Sequence, residues 1–329
     1  MEGGWPSFNL TEGELVIAFV RGVFVAALFS TFGACLFCSL IAPAALKRLG
    51  GSEATQPDRD CLHIALRSAL LAACVMLVWL VLVSGQMADA QTAGQALVAL
   101  PLVVTGTRFG YVLTAQALAL LATATALIVD GRYSRLAATG FAGVAVLLQA
   151  THGHALAMHE GLLLVSQGFH LLAAGAWLGA LLPLLIFVSR APLNSSAIAA
   201  QHFSPLGMLC VFVLATTAAF QGWILAGGFA GLIGTAYGWV ALFKLSLFAL
   251  LLMLATLNYL RLAPSLARYQ ARDARASLVR SIAVEIGLGL LVVVAAALLS
   301  SLEPGMHAPI SRASPGMRSA SSTTKSTSF

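Results

Sequence analysis

The chain has 329 residues, of which 59% are hydrophobic and 9% charged, with a mean hydropathy of +0.92. A soluble domain carries roughly 25% charged residues, so a water-soluble globular enzyme or binding module is excluded: too few polar side chains exist to wet its surface. The net charge of +6 follows from arginines placed in loops, where membrane topology puts them, and needs no nucleic acid as partner.

Apolar runs of about 20 residues read as membrane spans in a lipid bilayer. They occur at 15–41, 64–87, 109–129, 137–157, 162–188, 205–227, 238–260 and 278–301. The expected fold is therefore all-α, a polytopic transmembrane bundle of about eight spans. The N-terminal 14 residues lack a basic n-region, so no cleaved signal peptide is expected. Segment 92–107 is apolar but short and carries Pro101, which suits a re-entrant or interfacial piece. The organisation expected is 1–134 for the first three spans and 135–301 for the other five. The tail 302–329, rich in Ser, Thr, Gly and Pro, is expected to be disordered. The five cysteines lie mostly inside apolar runs and give no disulfide framework.

Basic residues orient the bundle. Lys47, Arg48 and Arg59 follow the first span, Arg132 and Arg135 the third, and Arg190 the fifth. Arg261, Arg268, Arg272, Arg275 and Arg280 crowd the connection between the seventh and eighth. The alternate loops 88–107 and 228–237 contain no Lys or Arg. Cytoplasmic loops collect positive charge, which places both termini outside. Arg312, Arg318 and Lys325 in the tail run against this, and the five arginines of one short connection outweigh them.

The stretch QATHGHALAMHEG carries His152, His154, Met158 and His159 at the outer end of the fourth span, and His170 follows inside the fifth. Spans four and five form an antiparallel hairpin, which sets His170 about one turn (~5 Å) below His152. The four imidazoles are expected to form a column from the external face into the membrane. Imidazole suits Cu, Zn, Ni and Fe, and a thioether favours Cu(I). In a straight helix His152 and His154 point about 200° apart, but Gly153 permits a break that lets both chelate. Solvated interfacial histidines are the plainer alternative for this cluster. His170 is harder to assign that way, since a polar group inside a span is costly and commonly functional. His63 and His202 lie at the cytoplasmic face, and His307 lies in the tail.

Cys35 and Cys38 share one face of the first span near its inner end. They are either Cu(I) ligands or small apolar packing residues. Arg21, Arg67, Lys244 and Glu285 are the ionisable residues within spans, either snorkelling or paired, and Glu285 with Lys244 is one conceivable pair. Gly175 and Gly179 flank Trp177 and make a small-residue face for close helix approach.

These residues together resemble the copper-resistance CopD family of bacterial inner-membrane proteins. That family shows G-H-A at the end of one span and then H-L-L-A-x-x-x-W-L-G-x-L-L-P-L. Here stand Gly153-His154-Ala155 and HLLAAGAWLGALLPL from His170 to Leu184. Further likeness runs through Tyr237, Gly238, Lys244, Asn258 and Pro264, and the last span carries Glu285. The resemblance is strongest over 135–301 and covers the first three spans in layout only. It implies copper handling across the inner membrane alongside a small periplasmic copper-binding protein, CopC. It assigns functional roles to His154, His170, Trp177, Lys244 and Glu285. His152 and His159 exceed the family pattern.

The function expected is copper transport from periplasm to cytoplasm along the histidines, with copper as cargo and no enzymatic activity. No nucleotide-binding motif such as G-x-x-x-x-G-K-[ST] is present, so ATP does not drive it through this chain. The alternatives are a membrane electron carrier with haem between facing histidines and an assembly protein that presents copper without moving it.

Overall fold

The computed structural model describes residues 11–47, 51–129, 131–152, 161–225, 236–269 and 271–300. Helix α1, Glu12–Leu46, starts at a capping box: the Glu14 amide donates to Thr11 Oγ1 (3.3 Å) and the Thr11 amide donates to the Glu14 carboxylate (2.9 Å). It widens into one π-helical turn at Phe37–Ile41 before continuing. Helix α2 is Gly51–Met87 and α3 is Ala93–Gly106, which opens on a second capping box between Thr92 and Gln95. Then come α4, Arg108–Val129, and α5, Arg132–Gln149, which tightens into a 3-10 turn at Ala150–His152. Helix α6 is Gly161–Arg190 and α7 is Leu193–Leu225. Helix α8 runs through Ala236–Leu257, a second π-helical turn at Asn258–Leu262, and Ala263–Tyr269; α9 is Arg272–Leu299. No strand occurs among the described residues. The protein is an all-α polytopic bundle.

Seven of these helices are long and apolar enough to cross a membrane: α1, α2, α4, α6, α7, α8 and α9. The expected span 137–157 becomes α5, 18 residues long with Arg132 and Arg135 in its first turn, and it falls outside that set. Helix α5 nonetheless runs between the two ends of the bundle. The Arg21 guanidinium of α1 donates to Ser300 Oγ beyond α9 (2.9 Å) and to the His152 carbonyl beyond α5 (3.1 Å). The outer part of α1 and the end of α9 therefore lie at the same end of the bundle as the end of α5. Helix α3, at 14 residues, reaches only about 21 Å and is too short for a pass.

The opposite end collects the basic connections. Arg135 forms a bidentate pair with Asp58 (2.7 Å for each oxygen), Arg190 pairs with Asp60 (2.8 Å), and Arg275 donates to the Ala191 carbonyl (2.6 Å). Starts of α2, α5 and α9 and the end of α6 thus share that end, as the loop charges require. The Arg135–Asp58 side chains are 15% and 24% exposed, against 63% for Arg190 and 13% for Asp60. Asp58→Asn is expected to cost about 1.5–3 kcal/mol, the range for hydrogen bonds to charged groups. Asp60→Asn is expected to cost less, about 1 kcal/mol, because its single bond goes to a guanidinium that is largely in solvent. Thermal midpoints in detergent check this: equal shifts for the two variants contradict the assignment.

Lipid tails are as apolar as a protein core, so helices associate through close packing and polar contacts rather than water exclusion. The exterior accordingly shows large apolar side chains such as Leu118, Leu121, Ile128, Phe212 and Met253. Helix α6 is the most enclosed, with Trp177, Leu181 and Phe187 buried along it. Its contact with α1 is backbone on backbone. A Cβ on Gly179 would overlap the Phe29 carbonyl, and one on Gly33 would overlap the Gly179–Ala180 peptide. Gly175 sits against the rings of Phe29 and Phe32. The small-residue face expected from the sequence is thus the α1–α6 seam.

Candidate functional site

Among the described residues, three groups of polar side chains inside the bundle bear on function, and the helices that carry them decide what each can do. The first is the end of α5. The Gln116 amide nitrogen donates to the Ala145 carbonyl (3.0 Å) and to Gln149 Oε1 (3.2 Å), which leaves its oxygen facing His152 Nε2 at 3.3 Å. A carbonyl oxygen only accepts, so His152 donates from Nε2 and keeps its lone pair on Nδ1. The ring stands edge-on to Trp79 (5.1 Å between centroids) and Phe109 (5.3 Å), and Arg21 lies 5.9 Å over Trp79. His152 thus faces α2 and α4, inside an aromatic wall.

The second place surrounds His170, which faces α7 and α8 instead. His170 Nδ1 is 2.8 Å from Thr217 Oγ1. The single hydroxyl proton of Thr217 is directed to the backbone carbonyls of Val213 (2.6 Å) and Leu214 (3.2 Å). Thr217 therefore accepts, His170 donates from Nδ1, and Nε2 carries the free lone pair. This is the arrangement in which a second group fixes the tautomer of a metal-binding imidazole. One turn away on each helix, Gln221 donates to Ser166 Oγ (3.1 Å). His170, Gln221 and Lys244 line a cavity of about 230 Å3 that Trp177 also lines. Lys244 has no hydrogen-bond or acidic partner among the described residues and is within electrostatic reach of the His170 ring.

The third place lies beyond Trp177. That indole also lines a larger cavity, of about 490 Å3, whose polar wall is Ser204, Thr256, Asn258 and Glu285. Glu285 is 2% exposed, and its Oε1 accepts from Asn258 Nδ2 at 2.7 Å. Asn258 opens the second π-helical turn, and its own Oδ1 is buried with no hydrogen-bond partner. Two acceptor oxygens thus converge on a cavity in the half of the bundle nearer the basic end.

Several expectations meet these facts. Of the expected column of four imidazoles only His152 and His170 are described, and these turn toward different partners, Gln116 of α4 and Thr217 of α7. His154, Met158 and His159 lie outside the described residues. The conceivable Glu285–Lys244 pair is replaced by Glu285–Asn258, with Lys244 beside His170. Trp177 is where its spacing from His170 put it, two turns deeper. Cys35 and Cys38 are buried on α1 near its basic end. Among the described residues no three His, Cys, Asp or Glu gather as a metal cluster, and no two histidines face each other as a haem pair would require. Thr217 and Gln221 were not singled out by sequence reasoning, and Asn258 was named only as part of the family likeness. The available signal was weak: hydrogen-bonding side chains inside spans, of which many are spent on their own helix, as Thr216 is on the Phe212 carbonyl (2.9 Å).

Comparison with known proteins covers most of the chain. Residues 12–165 match the family described as copper resistance protein D-like, N-terminal domain, and residues 197–299 match copper resistance protein D. The chain is 28% identical over 319 residues to copper resistance protein D of Pseudomonas syringae pv. tomato, spanning 90% of this chain and 99% of that protein. It is 29% identical over 162 residues to copper transport protein CutJ of Bacillus subtilis (strain 168), spanning 48% of this chain and 28% of that protein. No solved structure matches.

Proposed function

This chain belongs to the copper resistance protein D family, and on that premise we propose that it carries copper ions across a bacterial inner membrane toward the end that bears the basic loops. Those loops face the cytoplasm and both termini face the periplasm. The single observation that supports the reading most is the pair of cavities on either side of Trp177, one offering the free Nε2 of His170 and the other the oxygens of Glu285 and Asn258. His154, Met158 and His159 collect the ion outside, handed on by a periplasmic copper-binding protein of the CopC kind. His170 draws it inward as a lone imidazole ligand. Lys244 lies in the same cavity and, when protonated, opposes accumulation of a cation there, so the site suits passage rather than storage. Trp177 separates the two cavities and must move for the ion to reach the Glu285 carboxylate. His152, held by Gln116 between aromatic rings, shapes the entrance with Nδ1 as its available nitrogen.

The test is copper uptake by proteoliposomes carrying the wild type, His170→Ala or Glu285→Gln. Each substitution is expected to lower the initial rate by at least the roughly 10–100-fold seen when the support of a metal ligand is disturbed. Wild-type rates in both variants overturn the path. Copper bound by the wild type with no flux at all replaces transport by presentation to a partner.

A further inference from the structure

Helices α7 and α8 hardly touch along their spans; they meet at the basic end, where Ala263–Tyr269 packs on α7. The larger cavity occupies the gap between them. Its inner wall is buried, made by Trp177 and Leu181 of α6 and by Ile282 and Glu285 of α9. Its rim is different. Met208 and Phe212 of α7 and Tyr259 and Leu260 of α8 line the cavity and are also exposed on the outside of the bundle. Both helices are membrane spans, so that outside is lipid. The cavity thus has a buried floor and a sideways mouth toward the acyl chains. The copper path described above runs along the bundle and does not use that mouth.

The floor lacks a proton donor. Asn258 Nδ2 donates to Glu285 Oε1 (2.7 Å), while Asn258 Oδ1 is buried with no hydrogen-bond partner among the described residues. A buried acceptor left unpaired is destabilising. The hydroxyls of the same wall are directed elsewhere: Ser204 donates to the Ala200 carbonyl (2.8 Å) and Thr256 to the Leu252 carbonyl (2.7 Å). A ligand that suits this floor brings a hydroxyl proton. An acyl chain brings none, and the phosphate of a lipid head group is an anionic acceptor that the Glu285 carboxylate repels. Trp177, Phe203, Phe212 and Tyr259 line the cavity with rings, which suit a flat aromatic head. Its volume of about 490 Å3 is that of pockets that take small organic ligands. We propose that the cavity between α7 and α8 is a binding site for a membrane quinol, entered from the bilayer. A quinol hydroxyl donates to Asn258 Oδ1, the ring lies against Trp177, and the apolar tail leaves past Phe212 and Leu260. The oxidised quinone carries carbonyl acceptors in place of hydroxyls, so the site favours the reduced form. The inference stands on this cavity and does not depend on copper passage.

The experiment uses the full chain in phosphatidylcholine nanodiscs free of quinone. The ligands are a radiolabelled decyl-tailed benzoquinol, kept reduced under anaerobic conditions, and the same compound oxidised. An azido derivative of the quinol locates the site by photolabelling and peptide mass. The expected result is saturable binding of about one quinol per chain, label on the cavity-lining parts of α7 and α8, and tighter binding of quinol than of quinone. Asn258→Leu is expected to weaken quinol binding by roughly 2- to 12-fold, the loss of one hydrogen bond, and to bring the two forms to equal affinity. Ala215→Phe, at an exposed position of the rim, fills the mouth and removes the label, which keeps the test open should Asn258→Leu fail to fold. Binding that does not saturate, label spread over all lipid-facing helices, or equal affinity of the wild type for both forms overturns the site. Displacement of the label by phosphatidylglycerol and not by unlabelled quinol assigns the cavity to a phospholipid and overturns it too. If no quinol binds while His170→Ala still abolishes copper uptake, the quinol site falls and the path stands. If quinol binds as expected while uptake ignores His170, the path falls and the quinol site stands.

Discussion

Replacing Gly179 with valine is expected to leave almost no monodisperse protein after detergent extraction. The added carbons would occupy the space of the Phe29 carbonyl, a backbone group that no side-chain rotation can move aside. Helices α1 and α6 would have to separate along the seam where Gly33, Gly175 and Gly179 meet α1 or α6 backbone and rings. Overpacking commonly costs about 1–3 kcal/mol, and a clash with main chain belongs at or above the top of that range. The loss also propagates, because α6 carries His170 and Trp177. Gly140→Ala and Gly287→Ala provide the control. Nothing lies within 4 Å of a Cβ at either position, and alanine gains up to about 1 kcal/mol over glycine in a helix. Size-exclusion profiles and thermal midpoints decide the matter. A Gly179→Val protein that elutes and melts like the wild type means the seam is not needed.

Thr217→Val is expected to reduce copper uptake by about 10–100-fold, the usual consequence of removing the group that fixes a ligating histidine, while leaving expression intact. Valine matches threonine in shape but removes the oxygen that accepts from His170 Nδ1. The buried Nδ1–H then has no partner, and the ring relieves this by moving its proton to Nε2. That step places the proton on the nitrogen that carries the free lone pair in the wild type. Thr217→Ser restores the oxygen and is expected to restore most of the rate. Initial uptake rates at fixed copper, normalised to inserted protein, test both. Equal rates for the valine variant and the wild type contradict the assigned tautomer, whereas a loss that serine also fails to rescue points to packing rather than hydrogen bonding.

Much of the architecture is legible along the chain. Apolar runs, the shortness of 92–107 and the alternation of basic and bare loops announce a bundle with one basic end, and the ion pairs of Asp58 and Asp60 join those loops physically. The glycines around Trp177 announce a close helix contact, and it is found. The histidines were legible as a group but not as an arrangement. His152 and His170 are close in the hairpin register, yet α5 turns one toward Gln116 and α6 turns the other toward Thr217. The partner of Glu285 was likewise open, since Lys244 and Asn258 lie on nearly the same face of α8, about 21 Å apart along it, and only the level at which α9 packs selects between them.

By itself, the sequence determined that this protein is a membrane bundle, how its loops divide between two sides, and that one helix carries a histidine and a tryptophan two turns apart. These properties depend on composition and on spacing within a single helix, which are local. The tertiary structure decided which polar groups meet: His170 with Thr217, and Glu285 with Asn258. A soluble helix advertises its buried face by an apolar stripe. A helix in lipid is apolar all round, because the solvent resembles the core, so its rotation is set by small-residue contacts and a few hydrogen bonds with other helices, and those become visible only when the helices are assembled.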